Sequence, residues 1–418
     1  MTNLASSLTL PCGATLPNRI AKSAMSEVLG DPASGAPTPL LNRLYERWGR
    51  GGTGLLITGH VIVDQGGRGE PGNVVITDDR HLAELRGWAA AGQASGARMW
   101  MQLNHAGRQA PKRLARQPVA PSAVGGVRGF AGAFAAPRAL TDGEVRGLVG
   151  RFAAAAKVAQ DAGFAGVQIH AAHGYLVSQF LSPRTNTRDD AWGGDAVRRR
   201  AFLLAIVAAI RAAVGPGFPI GVKLNSADFQ RGGFTVEESM EVARALEAAS
   251  VDLLEISGGN YESPAMAGGG ELPATQRDSS REREAYFLEY ARQIRAVTRL
   301  PLMLTGGLRT RATMDAILAA GDVDVIGLGR PLTIAPDLPA ALIAGTAAAA
   351  PTVRIRSRVR KLDDALQVFW FQEQLHRMAR GDEPDLALGK LGAVWRGVRA
   401  TMMPLGGGRR RAAAEATA

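Results

Sequence analysis

Residues 168–194 read QIHAAHGYLVSQFLSPRTNTRDDAWGG, with His170, His173 and Tyr175 close to the start of the stretch. The mostly apolar residues 165–169 predict a short buried strand that leads into it. In parallel α/β folds the reacting groups stand just past the carboxyl ends of strands. This stretch therefore predicts a catalytic centre at a strand end. In the alternative interpretation, one histidine caps a helix and the tyrosine packs in the core.

Short apolar runs alternate with longer amphipathic stretches along most of the chain. The predicted strands are residues 20–25, 54–63, 98–103, 166–169, 220–224, 253–256, 302–304 and 323–326. The predicted helices are residues 40–50, 79–95, 141–162, 196–214, 236–249, 283–297 and 311–320. Eight strands separated by helices favour an α/β fold of the closed (β/α)8 type, a TIM barrel, over an open sheet.

Additional segments modify this barrel. Residues 8–17 predict a hairpin that plugs the barrel floor, and residues 104–140 form a long loop typical of a lid or binding loop. Beyond residue 350, residues 362–380 and 391–402 predict two amphipathic helices. We therefore expect residues 1–350 to form the barrel and residues 351–418 a helical, basic C-terminal extension. Its aromatic side chains need a surface to cover, either the barrel's own exterior or a second copy in a homo-oligomer.

Composition narrows the functional classes. The 418 residues carry a net charge of +11, and residues 351–418 contain 13 Lys and Arg against 7 Asp and Glu. Basic runs at residues 354–361 and 409–411 have the charge to bind nucleic acid or anionic membranes. We favour a solvated face and a frayed terminus, because no nucleic-acid-binding module accompanies these runs.

Composition also bears on location and redox chemistry. No apolar run approaches the roughly 20 residues of a membrane span, and the N-terminus does not read as a signal peptide. A single cysteine, Cys12, excludes an internal disulfide framework and a self-contained iron–sulfur cluster. We therefore expect a cytoplasmic location.

Two glycine-rich turns late in the chain predict a phosphate site. Gly306 and Gly307 follow the seventh predicted strand, and Gly329 and Arg330 follow the eighth. Backbone N–H groups at such turns bind phosphate, and barrels commonly place phosphate sites there. No GxGxxG motif follows an early strand and no GxxxxGK[ST] occurs, which argues against a Rossmann domain and a P-loop.

From about residue 8 to residue 345 the chain resembles the Old Yellow Enzyme family of FMN-dependent ene-reductases. The resemblance rests on residues 18–26 (NRIAKSAMS), 102–108 (QLNHAGR), 168–194 and 222–225 (VKLN). It implies FMN as cofactor, NADH or NADPH as hydride donor, and a small activated alkene as substrate. The residues that it places against the flavin are Ser23, Ala24, Met25, Ser26, Gly59, Gln102 and Lys223.

The resemblance also implies a role for each of these groups. The Gln102 amide binds the pyrimidine edge of the flavin, and Gly59 lets the flavin approach the backbone. Lys223 stabilises the negative charge of the reduced flavin, in a position where the family usually has Arg. Family members often have Pro in place of Ala24, and Thr or Cys in place of Ser26.

For the substrate, the resemblance implies that His170 and His173 bind a carbonyl or nitro oxygen and polarise the conjugated C=C bond. Tyr175 then delivers a proton to the adjacent carbon. A metal site on the two histidines is the competing interpretation. We expect no metal, because no third ligand stands at a suggestive spacing.

We predict an FMN-dependent NAD(P)H oxidoreductase that reduces the C=C bond of α,β-unsaturated carbonyls or similar electron-poor alkenes. One alternative is a Schiff-base lyase or aldolase with Lys223 as nucleophile. Another is a non-catalytic flavin-binding scaffold whose tail recruits a partner. The multidomain relatives of this family carry a cysteine-rich cluster site and a second nucleotide-binding region, neither of which the sequence contains.

Overall fold

The computed structural model describes residues 2–125, 127, 132–228, 230–257, 280–353, 355, 360–389 and 392, with 280–287 and 360–365 described by their backbone. Its strands are β1 (Leu8–Thr9), β2 (Thr15–Leu16), β3 (Ile20–Lys22), β4 (Leu55–Ile62), β5 (Val74–Val75), β6 (Arg98–Asn104), β7 (Val119–Ala120), β8 (Arg138–Ala139), β9 (Gly166–Ala171), β10 (Ile220–Asn225), β11 (Leu253–Ser257), β12 (Leu302–Thr305) and β13 (Val325–Leu328).

The helices lie between and after these strands. They are α1 (Pro39–Arg50), α2 (Leu82–Gln93), α3 (Asp142–Asp161), α4 (Leu176–Leu181), α5 (Ala196–Arg199), α6 (Ala201–Val214), α7 (Val236–Ala248), α8 (Ser280–Arg295), α9 (Arg311–Ala319), α10 (Leu338–Ala344) and α11 (Arg360–Arg380).

Eight parallel strands close into a barrel. Their order is β3, β4, β6, β9, β10, β11, β12 and β13, and β13 pairs with β3 to close the ring. The short β5 adds to the end of β4. The predicted TIM barrel is confirmed, and each predicted strand corresponds to one barrel strand. The first is shorter than predicted because the Ser23 N–H makes a last bond to Leu328 O and the chain then leaves the ladder.

The helix prediction is also confirmed in outline, with two kinds of difference. The stretch predicted as one helix over residues 196–214 is divided at Arg200 into α5 and α6. The short helices α4 and α10 were not predicted. Every residue of α4 is buried, Ser178 and Gln179 included. The helix therefore has no solvent-facing side that would give its sequence an amphipathic pattern.

The N-terminal hairpin closes the amino end of the barrel, as predicted. Strands β1 and β2 pair antiparallel, and Leu8, Leu10 and Leu16 pack in one cluster with residues that begin barrel strands, such as Leu55 and Leu253. With the floor closed by apolar side chains, the opposite rim remains for a polar site.

The C-terminal helix α11 packs on the outside of the barrel. Leu375 and Met378 join the main hydrophobic core, and α11 lies against α1. Trp370 and Phe371 pack with Ile334 and Ile355 of the same chain, so they cover the barrel's exterior. The tail's first helix is therefore confirmed, while the division into two domains at residue 350 and the homo-oligomer remain predictions.

Several predicted features lie outside the described residues. They are the second tail helix over residues 391–402, of which the structure describes only residue 392, and residues 354, 356–359 and 409–411 of the basic runs. Among the helices that the structure describes, none is both long enough and apolar enough to cross a membrane.

Candidate active site

The carboxyl ends of the barrel strands gather polar side chains around one rim. Parallel strands of a closed barrel all end on the same side, so residues far apart in sequence become neighbours there. Among the polar residues on these strands are His60, Gln102, Asn104, Gln168, His170, Lys223, Asn225, Glu255, Ser257 and Thr305.

Four aromatic rings form a cluster at this rim. The His170 ring centroid lies 5.1 Å from that of His173 and 4.9 Å from that of Tyr175. His60 of β4 completes the cluster, 5.3 Å from His170 and 4.8 Å from Tyr175. The structure thus brings together the three residues predicted from residues 168–194 and adds a third histidine.

Hydrogen bonds indicate which ring nitrogens carry protons. The His170 Nδ1 accepts from the Ala172 N–H at 3.2 Å, and Asn104 Nδ2 lies 3.1 Å from His60 Nδ1. A neutral imidazole with Nδ1 as acceptor carries its proton on Nε2. Both rings then present an N–H donor from Nε2.

Burial keeps these histidines neutral. Desolvation, with the Lys223 charge as a smaller cause, lowers the pKa of His60 to about 4. Burial likewise lowers the pKa values of His170 and His173 well below the ordinary value of 6.5. At neutral pH the cluster therefore offers uncharged hydrogen-bond donors rather than imidazolium cations.

His173 is held in an unusual backbone conformation. Its φ of 60° lies in the left-handed region, which is uncommon outside glycine. The His173 N–H donates to Asn225 Oδ1 at 3.2 Å, and its Nε2 lies 2.7 Å from Ser257 Oγ. Contacts to two neighbouring strands thus stabilise the turn that places Tyr175 at the start of α4.

A row of buried polar side chains crosses the barrel interior beneath this cluster. Gln102 Nε2 donates to Gln168 Oε1 at 2.7 Å, and Gln168 Nε2 donates to Glu255 Oε2 at 2.7 Å. Glu255 Oε1 accepts from Lys223 Nζ at 2.9 Å and from the Thr305 hydroxyl at 2.7 Å. The predicted flavin ligands Gln102 and Lys223 are therefore parts of one network.

The segment predicted to touch the isoalloxazine follows β3. Ser23 Oγ lies 2.8 Å from Thr305 Oγ1, which links it to the Glu255 carboxylate. The partly buried Ala24 and Met25 pack against the two hydrophobic clusters of the barrel. The Ser26 hydroxyl donates to the Glu70 carboxylate, whose pKa is raised by burial.

Gly59 lies at an irregularity inside β4, where the register with β6 shifts between Ile57 and His60. A Cβ there would lie 2.3 Å from Met25 O, so the chain's own packing requires glycine. The Gly59 N–H donates to Glu27 Oε1 at 2.9 Å.

A further buried charge lies behind this irregularity. Lys22 Nζ donates to Ile57 O at 2.6 Å and to the Tyr45 hydroxyl at 2.8 Å. It also lies 4.6 Å from the ring centroids of Tyr45 and Trp48. Burial lowers the Lys22 pKa to about 8. These contacts hold β3 against β4 and α1.

The predicted phosphate turns follow β12 and β13. Gly306 and Gly307 have φ values of 127° and 77°, which favour glycine. Gly329 precedes a short 3-10 turn, Arg330–Thr333. The Arg330 guanidinium lies 5.9 Å from the Phe371 ring centroid and donates to Gln367 Oε1 at 3.4 Å. The predicted phosphate ligand thus lies beside α11.

One observation tests whether these residues fit a flavin. Within the part of the chain that the structure describes, Gln102 Oε1 is a buried acceptor without a hydrogen-bond partner. FMN supplies an N–H donor on its pyrimidine ring, and Lys223 and the glycine turns match its negative charges. The residues fit the cofactor. Across the described ranges, no cluster of three or more His, Cys, Asp or Glu side chains is suited to a metal ion.

His60, Gln168 and Glu255 are site residues that the sequence predictions do not include. Each is a polar residue within an apolar strand: LLITGHVI, GVQIHA and LLEIS. A charged residue such as Glu255 inside a buried strand is expensive unless it is paired, and that signal was available from the sequence.

Comparisons with known proteins agree with this architecture. Residues 10–348 match the model of the NADH:flavin oxidoreductase / NADH oxidase family. The "NADH-dependent flavin oxidoreductase iliE" of Hypocrea jecorina (strain QM6a) is 38% identical over 351 residues, which are 79% of this chain and 86% of that protein.

Two solved structures are similar over most of both chains. The Old Yellow Enzyme homologue from Zymomonas mobilis has a TM-score of 0.69 and 26% identity, covering 87% of this chain and 98% of its own. Morphinone reductase has a TM-score of 0.67 and 26% identity, and the match covers 84% of this chain and 92% of morphinone reductase. The predicted flavin and nicotinamide nucleotide are those in the family's description. The chain is therefore an oxidoreductase of the NADH:flavin oxidoreductase / NADH oxidase family, and its resemblance to Old Yellow Enzyme is confirmed.

Proposed function

We propose that the protein is an FMN-dependent ene-reductase that reduces the C=C bond of α,β-unsaturated carbonyl compounds or similar electron-poor alkenes. The observation that carries this proposal is the cluster of neutral histidines and Tyr175 at the barrel rim. Neutral N–H donors suit an uncharged carbonyl or nitro oxygen that gains negative charge during the reaction.

In this proposal His170 and His173 bind the substrate oxygen. The His170 Nε2–H is a donor because Nδ1 already accepts from Ala172. His60, whose ring lies against both His170 and Tyr175, is a further candidate contact. Donors aimed at the oxygen withdraw electron density from the conjugated bond, so they favour attack at the β-carbon.

Tyr175 is the proposed proton donor to the α-carbon. Its side chain is only 6% exposed, and its ring lies against His60 and His170. A phenol held in a largely dry site delivers its proton to a defined carbon instead of exchanging it freely with water.

The proposed flavin contacts are Ser23, Ala24, Met25, Ser26, Gly59, Gln102, Lys223, Gly306, Gly307, Gly329 and Arg330. When bound, FMN supplies hydride transfer from a nicotinamide nucleotide to the substrate. Lys223 places a cation by the pyrimidine edge, and the glycine turns offer backbone N–H groups to the phosphate. The name of the Hypocrea relative supports NADH as the donor.

The lyase alternative has less support. Lys223 Nζ is bonded to the buried Glu255 carboxylate at 2.9 Å, so it is held as a paired ammonium rather than as a free amine nucleophile. The non-catalytic scaffold differs in its solution behaviour, because NADH would not bleach the flavin of a scaffold.

Tyr175→Phe tests the proposal at its most specific step. The protein should purify with non-covalently bound FMN, and NADH should reduce that flavin at nearly the parent rate in the variant. Reoxidation by an enone should slow by roughly 10²–10⁴-fold, the usual contribution of a general acid. Stopped-flow absorbance under anaerobic conditions measures each half-reaction separately.

A nitroalkene is the matched control substrate, since a nitronate persists long enough to take its proton from water. It should lose much less rate than the enone in Tyr175→Phe. Equal slowing of flavin reduction and reoxidation would assign Tyr175 to packing. Protein that neither retains nor takes up FMN would refute the ene-reductase altogether.

A further inference from the structure

We infer that Glu255 is a positioning residue for the cofactor: through Gln168 it determines which atom of Gln102 faces the flavin, so that the site selects a ring carrying an N–H donor. The inference rests on the proposed function, in which Gln102 contacts the flavin. It adds two residues, Gln168 and Glu255, and a direction of hydrogen bonding.

The amides of Gln168 and Gln102 link the Glu255 carboxylate to the flavin site, and both of their hydrogen bonds donate towards Glu255. Gln168 donates through Nε2 to Glu255 Oε2 at 2.7 Å, which turns its own Oε1 towards Gln102. Gln102 then donates through Nε2 to that oxygen at 2.7 Å. Each amide has one donor end and one acceptor end, so the first bond fixes the orientation of both.

Glu255 is the fixed end of this chain. Its side chain is fully buried, and a carboxylate bonded to an ammonium group has acceptors only. Lys223 Nζ at 2.9 Å and the Thr305 hydroxyl at 2.7 Å both donate to Oε1, which leaves Oε2 for Gln168. No reversed arrangement of the amides satisfies Glu255.

A second series of hydrogen bonds, from Ser23 through Thr305, also ends with a donor to Glu255. Because Thr305 gives its proton to Glu255, the Ser23 hydroxyl 2.8 Å away must donate to Thr305. Both chains therefore direct their donors at Glu255. At the ends remote from Glu255, Gln102 Oε1 and Ser23 Oγ are left as acceptors.

The outer acceptor on Gln102 needs a partner from the ligand. Gln102 Oε1 is buried and, among the described residues, has no hydrogen-bond partner. Leaving a buried acceptor unsatisfied is costly, so the site favours a ligand that offers an N–H at this point. The imide N3–H of a flavin meets that requirement, and 3-methyl-FMN does not.

Competition between the two flavins measures this selectivity directly. The holoprotein is equilibrated with mixtures of FMN and 3-methyl-FMN, free flavin is removed by filtration, and the bound flavins are quantified by mass spectrometry. We expect the parent to prefer FMN by about 10- to 100-fold, the range associated with one unsatisfied buried acceptor.

Two variants should abolish the preference. In Glu255→Gln the carbonyl should face Lys223, so the amide donates to Gln168 and both glutamines reverse. Gln168→Leu interrupts the chain and keeps the Lys223–Glu255 ion pair. The FMN preference should fall to within about threefold of unity in both, since no fixed acceptor remains.

Thr305→Val is the matched control. It removes a different donor to Glu255 and leaves the amides intact, so the parent preference should persist. If the parent binds both flavins equally, or if Gln168→Leu keeps the parent's preference, the inference is wrong while the ene-reductase proposal stands. A parent without affinity for either flavin would overturn both.

Discussion

At the scale of single residues, the barrel interior is defined by buried charge. Glu255 and Lys223 lie on neighbouring strands and are both almost fully buried. Removing either partner leaves an uncompensated charge, whereas removing both leaves none. We therefore expect the Lys223–Glu255 pair to contribute both to stability and to cofactor binding, and experiments can separate these two contributions.

Replacing Lys223 with Met should lower the free energy of unfolding by about 3–5 kcal/mol, because the Glu255 carboxylate loses its cation. The double variant Lys223→Met/Glu255→Gln should recover most of that stability. Both variants should be reduced more slowly by NADH, since each lacks the charge beside the reduced flavin. Urea unfolding and anaerobic stopped-flow measure the two effects.

The conservative variant Lys223→Arg provides the control for charge. It should keep the ion pair and most of the reduction rate, because a guanidinium carries the same positive charge as the lysine ammonium. A single Lys223→Met variant as stable as the parent would contradict the assigned pairing.

At the scale of secondary-structure elements, α11 shows how the tail is attached. Trp370 is 1% exposed, and its Nε1–H donates to Leu388 O at 3.1 Å. His376 Nε2 lies 2.8 Å from Glu27 O, in the segment that follows the proposed flavin-contacting residues. The helix therefore supports the barrel from the outside, next to residues 23–27.

Trp370→Ala should destabilise the protein by about 3–5 kcal/mol, as is usual for truncation of a fully buried tryptophan. Val368 on the same helix is 61% exposed, so Val368→Ala should change stability by no more than about 0.5 kcal/mol. Chemical denaturation of both variants makes the comparison. Equal stabilities would show that α11 contributes nothing to the folded barrel.

At the scale of the whole molecule, burial of neutral histidines makes stability depend on pH. Burial lowers the pKa of His60 and of His105 to about 4, and the unfolded-chain value is near 6.5. The unfolded chain therefore binds more protons than the folded chain between these values. The stabilising contribution is complete above pH 6.5 and is lost as the pH falls towards 4.

His105→Asn tests this dependence away from the proposed substrate contacts. Asn offers an acceptor in place of His105 Nδ1, which takes the Gly107 N–H at 3.0 Å, but it does not titrate. Between pH 6 and 4.5 the free energy of unfolding should fall less steeply in the variant than in the parent. The two slopes should differ by about 1.4 kcal/mol per pH unit. Unfolding curves at several pH values give the slope, and an unchanged slope would contradict the buried neutral state.

The sequence alone determined the barrel. Eight apolar runs separated by amphipathic helices, the hairpin at residues 8–17 and the first tail helix are all local patterns, and each was recognisable without any contact information. The group His170, His173 and Tyr175 was also recognisable, because its members are only five residues apart.

Only the tertiary structure decided how distant residues combine. Gln102 and Gln168 are hydrogen-bonded although 66 positions separate them in the sequence, and Gln168 and Glu255 although 87 positions do. The His60 ring contacts Tyr175, which lies in the loop after another strand. Closure of the barrel sets those neighbours, and no local pattern encodes the register that brings them together. The helical period predicted that α11 exists, because periodicity reveals an apolar face. It could not predict that α11 docks on α1, because periodicity does not reveal the surface that this face covers.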